Sequence, residues 1–156
     1  AVIFPLEEER KTEPAVSGQD GGAKMASVRS EGTAKNAFTQ PVLVVEDEPI
    51  LRFDIVDTLN DAGFHVHEAG NATEAIEILT QNTGIRLVFT DVDMPGGMDG
   101  IKLAAYIRDR WPPLKIIVTS GYRKVTLEEI PAESCFFSKP YDPARIVSTM
   151  HRMLAN

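Results

Sequence analysis

Five short apolar runs alternate with segments of helical period, and this alternation limits the fold more than any other feature of the chain. The runs are VLVV (42–45), FHVHEA (64–69), RLVFT (86–90), KIIVTS (115–120) and CFF (135–137). Most are apolar at consecutive positions, the pattern of a strand buried on both faces; FHVHEA instead alternates, with Phe64 and Val66 on one side. Between the first two runs, Leu51, Ile55 and Leu59 share a helical face, Pro49 suits the first turn and Gly63 stops the helix. Asn71, with Glu74 three residues on, predicts an N-cap and capping-box partner for a helix over 72–82. A third helix over 99–111 stops at Pro112-Pro113. TLEEI (126–130) predicts one or two helical turns. Asp142-Pro143 caps a final helix to about residue 154, with Ile146, Met150 and Met153 on one side. Strands alternating with helices predict an α/β domain: a parallel sheet with helices on both faces.

Residues 1–40 are rich in Gly, Ser, Thr, Ala, Glu and Lys and hold neither period, so they read as a flexible N-terminal tail or linker before a domain at 41–156. The tail has six acidic and five basic residues; the domain has seventeen and eleven, a charge of −6. Phosphate backbones are bound by Lys/Arg clusters, so direct nucleic-acid binding is not expected of this acidic domain. No apolar run approaches the roughly 18 residues that span a bilayer, and no membrane insertion is expected. Cys135 is the one cysteine, which suits a reducing, cytoplasmic setting.

Ligands of open parallel sheets bind beyond the carboxyl ends of the strands. Here the first strand ends at Glu46-Asp47, the third at Asp91 and the fourth at Thr119-Ser120, while Lys139-Pro140 follows the fifth. Crowded carboxylates repel and raise one another's pKa. A bound cation relieves this, and all-oxygen donors suit a hard ion such as Mg²⁺. Such an ion would make Asp91 usable as a nucleophile towards phosphorus, with Lys139 and a hydroxyl offsetting charge on the transferring oxygens. Alone, Asp91 could be an ordinary turn residue. Its convergence with Asp47, Thr119 and Lys139 favours the chemical reading. His65 and His67 share a strand face without a cysteine or third histidine nearby, and read as a half-solvated surface.

The segments VLVVEDEP, FTDVDMPGGMDG, IIVTSGY and FFSKPY resemble, in order, the four signatures of the bacterial two-component response-regulator receiver domain, of the single-domain chemotaxis-receiver type. The resemblance covers 41–156. It implies a flavodoxin-like doubly wound sheet of five parallel strands in the order 2-1-3-4-5. It implies a phosphoacceptor switch in a His-to-Asp phosphorelay rather than a conventional enzyme. Asp91 would be the phosphoacceptor, and Glu46 and Asp47 the acidic pair, with Asp47 and Asp91 binding Mg²⁺ directly. The backbone carbonyl of Asp93 would be a further metal ligand. Thr119 would be the switch hydroxyl and Lys139 the basic residue that pairs with the phosphoryl group, ahead of a cis bond to Pro140. Phe136 would be the rotating switch aromatic. The partners implied are a sensor histidine kinase or histidine phosphotransfer protein, and an output protein at the face of the fourth helix, fifth strand and fifth helix. The sequence departs from the family pattern in having Glu46 for the first acid and a loop one residue longer at Gly96-Gly97.

One alternative shares these residues. Asp91-x-Asp93 after an apolar strand is similar to the nucleophile motif of haloacid-dehalogenase-like phosphatases. In those enzymes the acidic metal pair follows the nucleophile, whereas Glu46-Asp47 precedes it.

Overall fold

A computed structural model of the chain describes residues 40–121 and 125–155. The elements run β1 (Pro41–Val45), α1 (Pro49–Asp61), β2 (His65–Ala69), α2 (Ala72–Gln81), β3 (Leu87–Asp91), α3 (Gly100–Arg110) and β4 (Lys115–Ser120). A 3₁₀ turn (Leu127–Glu129), β5 (Ser134–Ser138) and α4 (Pro143–Leu154) follow. All strand pairs are parallel, in the order β2-β1-β3-β4-β5. This is the expected flavodoxin-like sheet. The tail expected over 1–40 lies, through residue 39, outside the described residues.

The two faces of the sheet carry separate cores. Val42, Val44, Leu87, Phe89 and Ile117 point to one face, where Ile55 and Leu59 of α1 and Ile146 and Met150 of α4 cover them. Leu43, Val45, Val88, Ile116 and Val118 point to the other, under Leu79 of α2 and Leu103 and Ile107 of α3. Period-2 side chains on a sheet buried from both sides explain why the central strands read as unbroken apolar runs. Each large side chain so buried contributes about 1.5–3 kcal/mol.

Local signals set the helix ends. Gly63, at φ 98°, takes the left-handed conformation that closes α1. Asp99 accepts from the Lys102 N–H at 2.9 Å, and Asp142 from the Ala144 N–H at 3.0 Å. Such caps contribute ~1 kcal/mol each. Asn71 caps α2 by accepting from the Glu74 N–H at 2.9 Å. The Glu74 carboxylate, however, accepts from the Gly70 N–H at 2.8 Å, one residue upstream of the expected capping-box donor.

The fourth helix of the expected output face is replaced, among the described residues, by the 3₁₀ turn. Thr126 opens the turn, its N–H and hydroxyl donating to the Glu129 carboxylate at 3.3 and 3.2 Å. Pro131 closes it. The residue before a proline is pushed out of the helical region, and Ile130 sits at φ −111°, ψ 154°. Too few residues lie between these limits for successive i→i−4 bonds. The face therefore consists of the turn, β5 and α4.

Candidate functional site

The parallel register delivers the acids to one rim. Asp91, the last residue of β3, pairs with Thr119 of β4, and Val45 pairs with Thr90. Glu46, one step beyond Val45, therefore arrives beside Asp91. Asp47 follows at the turn into α1. One carboxylate oxygen each from Glu46, Asp47 and Asp91 lies within 4.8 Å of the others. Glu46 and Asp91 are only 1% and 2% exposed, so neither charge is relieved by water.

Gly100 explains how Asp91 is held. Its N–H donates to the Val92 carbonyl at 3.0 Å as α3 begins. A Cβ at this position would collide with the backbone carbonyl of Asp91. The helix packs directly on the Asp91 peptide, and only glycine permits that approach.

Lys139 supplies the counter-charge. Its Nζ lies 3.2 Å from Asp91 Oδ1 and 3.4 Å from Glu46 Oε1. Its backbone N–H donates to the Ser120 carbonyl at 3.0 Å, and the Lys139-Pro140 bond is cis. Burial raises the pKa of both acids. For Glu46 the Asp91 charge adds to the rise, whereas for Asp91 Lys139 opposes it without cancelling it. Burial alone would lower the Lys139 pKa, but Asp91 and Glu46 together outweigh it and raise it. Oxygen-only donors at this spacing fit a hard divalent cation, whose charge would remove the repulsion that Lys139 only partly offsets.

The remaining predicted residues divide. Thr119 is fully buried, and among the described residues its hydroxyl has no hydrogen-bond partner. Asp93 is half-buried, and its Oδ2 accepts from the Ser120 hydroxyl and the Gly121 N–H, each at 3.3 Å. Phe136 is not at the rim. It pairs with Val118 and packs half-buried on the core under α2 and α3. His65 and His67 stack edge to face, 4.9 Å between centroids, on the edge strand. Among the described residues no third ligand joins them.

Sequence reasoning missed Tyr141 and the link from Asp93 to Ser120 and Gly121. Tyr141 lies two residues past Lys139, with its ring 5.7 Å from that of Phe89 in edge contact. Burial and the Glu46 charge push its phenol up to about 12, so it is neutral. Its position beside the lysine in FFSKPY was the available signal. A cleft of about 510 Å³ runs from Asp47, Asp91 and Lys139 past Tyr141 to Leu51 and Pro143.

Residues 42–151 match the family model described as the response regulator receiver domain. The sensor kinase CckA of Brucella abortus is 33% identical over 153 residues, 96% of this chain but 15% of that protein. The receiver protein CpdR of the same species is 34% identical over 116 residues, 72% of this chain and 95% of the relative. The crystal structure of a response regulator receiver protein from Sinorhizobium medicae aligns over 76% of this chain and 97% of its own, with TM-score 0.69 and 30% identity. The receiver domain of NtrX from Brucella abortus aligns with TM-score 0.68 and 28% identity, over 74% of this chain and 98% of its own. Nothing in these matches supports the phosphatase alternative. With the rim, the strand order and the matched span in agreement, the chain belongs to the response regulator receiver domain family of bacterial two-component systems.

Proposed function

We propose that this receiver domain, residues 41–156 following a flexible tail or linker over 1–40, takes a phosphoryl group on Asp91 and works as a conformational switch. The observation that carries the reading is the buried Asp91 carboxylate clustered with Glu46 and Asp47 and contacted by Lys139. Asp47 and Asp91 would hold Mg²⁺ directly, with the Asp93 backbone carbonyl, and with Glu46 beside them. When bound, the ion supplies positive charge that offsets the acids and the phosphoryl oxygens. An Asp91 oxygen attacks the phosphorus of a phosphohistidine, and the bond to the donor nitrogen breaks. Lys139 then balances charge on the transferred group, and the Thr119 hydroxyl moves to bond it. Phe136, half-buried on β5, follows that movement and alters the surface of the 3₁₀ turn, β5 and α4. Because the change selects a state already present at low population, it is a population shift.

The donor is a sensor histidine kinase or a histidine phosphotransfer protein meeting the Asp91 rim, and the setting is cytoplasmic. The similarity to a protein named as a sensor kinase and to one named as a receiver protein supports such a relay. Among the described residues, no helix is long and apolar enough to cross a membrane.

Acetyl phosphate or beryllofluoride tests the reading. Modification should require Mg²⁺, intact-mass measurement should show one phosphoryl group from acetyl phosphate, and Asp91→Asn should abolish it. Undiminished uptake by Asp91→Asn would refute the assignment.

A further inference from the structure

We propose that the cleft beside Asp91 selects phosphodonors by their leaving group. It favours a planar nitrogen heterocycle that departs uncharged over a carboxylate that departs as an anion. Leu51 and Tyr141 act on the ring, and Glu48 and Asp54 act on the charge. The inference rests on the reading of Asp91 as phosphoacceptor.

Size is the first argument. A cleft of about 510 Å³ is far larger than a phosphoryl group. With the phosphoryl oxygens against Lys139, the rest of the donor lies in the same cleft, against α1 and the segment entering α4. That wall is apolar: Leu51, Ile55, Tyr141 and Pro143. Tyr141 is a fixed part of it, since Phe89 holds its ring edge to face. A flat ring fits such a wall, and ammonia or a single methyl group leaves most of it uncovered.

Charge is the second argument. The lining carries five carboxylates, those of Asp47, Glu48, Asp54, Asp91 and Asp93, against the Lys139 ammonium. Asp91, Asp47 and Asp93 belong to the phosphoryl and metal end. The Glu48 and Asp54 side chains line the α1 side of the cleft, flanking Leu51 in sequence, while the Glu48 backbone N–H donates to the Glu46 carboxylate. They set the potential where the leaving group departs.

The bond changes make the charge difference explicit. An Asp91 oxygen forms the new O–P bond. With phosphoimidazole protonated on its second nitrogen, the N–P bond breaks and its electron pair stays on the ring, which leaves as neutral imidazole. The ring is cationic before transfer, and the acidic wall attracts it. With acetyl phosphate, the P–O pair leaves on acetate, and an anion forms beside Glu48 and Asp54. Phosphoramidate, whose nitrogen is protonated and leaves as ammonia, shares the charge of the first donor without its ring.

The three donors therefore separate ring from charge. The full chain, with saturating Mg²⁺, is phosphorylated by phosphoimidazole, phosphoramidate and acetyl phosphate, and the rate constants are read by intact mass. Leu51→Ser should lower the phosphoimidazole-to-phosphoramidate ratio at least threefold, and Tyr141→Leu should lower it in the same direction. The pair Glu48→Gln and Asp54→Asn should raise the acetyl phosphate-to-phosphoramidate ratio at least threefold. Each ratio is taken within one preparation, so a partly unfolded variant leaves it unmoved. If modification proceeds from all donors and both ratios stay within threefold of wild type, the selectivity proposal is overturned and the phosphoacceptor reading stands. Failure of every donor to modify Asp91 removes both.

Discussion

Thr119 stands opposite Asp91 in the β3–β4 register, fully buried, with a hydroxyl that has no hydrogen-bond partner among the described residues. A buried polar group without a partner costs about 1–3 kcal/mol. A phosphoryl oxygen on Asp91 is an acceptor that would relieve it. Stability and signalling should therefore separate at this residue. Thr119→Val, which keeps the shape and removes the hydroxyl, should leave the unmodified domain as stable as wild type or up to ~1 kcal/mol more stable. It should still take a phosphoryl group. The NMR shift changes that spread to β5 and α4 in the wild type should contract to the Asp91 pocket. A variant destabilised by more than ~1 kcal/mol would mean that the hydroxyl already has a partner, and one with the full spread of shifts would remove Thr119 from the switch.

Glu46 and Asp91 should leave a signature in the pH dependence of stability. Their folded pKa values are raised above 4.5 and 3.8 respectively, so the fold binds their protons more tightly than the unfolded chain does. The stability each contributes is fully present below those ordinary values and is lost as pH rises through the raised ones. Lys139 is also raised, from 10.5, and loses its contribution only in the alkaline range, outside this window. Asp91→Asn imitates the protonated acid. Without Mg²⁺, its stability relative to wild type should increase from about pH 4 to pH 7, measured by urea unfolding at each pH. A difference that is flat across that range would contradict the burial argument.

Mg²⁺ should act on the same imbalance. An ion that binds only the folded state at a hundredfold excess over Kd stabilises it by ~2.7 kcal/mol. Wild type at pH 7 should show a Tm that climbs with Mg²⁺ concentration, and Asp47→Asn should need a higher concentration for the same rise. Equal Mg²⁺ responses in the two proteins would take Asp47 out of the metal site.

Gly100 offers a stability test of opposite sign to the general rule. Gly→Ala within a helix normally gains up to ~1 kcal/mol. Here the added methyl would meet the Asp91 carbonyl, and the neighbours are backbone, which cannot turn aside. Overpacking of this kind costs about 1–3 kcal/mol. Gly100→Ala should therefore lower the unfolding free energy and, if Asp91 is the phosphoacceptor as proposed, slow phosphoryl uptake, because the shift falls on the Asp91 peptide. A stabilised variant would show that α3 and β3 do not meet as described.

Much of this site was legible from single positions. Glu46, Asp91 and Thr119 stand at the carboxyl ends of apolar runs, and a parallel sheet sends all such ends to one rim. Asn71 and Asp142 announce helix starts because their side chains satisfy backbone donors that no helix can satisfy itself, and Asp99, read as the first helical residue, caps α3 in the same way. Contacts between loops were less legible. Nothing in the local pattern of Asp93 specifies Ser120 and Gly121 as its donors, since that contact exists only once β3 and β4 are paired. Leu127–Glu129 carries helix-forming residues, and the length limit imposed by Thr126 and Pro131 turned a helical expectation into one 3₁₀ turn. Tyr141 has an aromatic's usual core signal, which masks the one hint of its place in the cleft, its position two residues past Lys139.

On the proposed function, Asp93 should bear on the lifetime of the phosphorylated state. By the receiver resemblance, Asp93 and Gly121 flank the path of the water that attacks the acyl phosphate. Gly121 puts no side chain there, so any alignment of that water falls to Asp93. The carboxylate is not idle in the unmodified protein: Oδ2 accepts from the Ser120 hydroxyl and the Gly121 N–H. An ionised carboxylate offers about four acceptor sites, enough to serve protein donors and a water together. Those contacts tie the carboxylate to the end of β4. A fixed acceptor beside the phosphorus lowers the entropy cost of placing the nucleophile. Asp93→Ala should therefore slow dephosphorylation, measured as decay of the phosphorylated protein with Mg²⁺ saturating in both forms. Asp93→Asn, which keeps an acceptor oxygen and loses the charge, should fall between alanine and wild type. An alanine variant that decays as fast as wild type, or faster, would mean that the side chain gives no help to the water. The function of Asp93 would then rest on its backbone carbonyl and on the link it makes to Ser120 and Gly121.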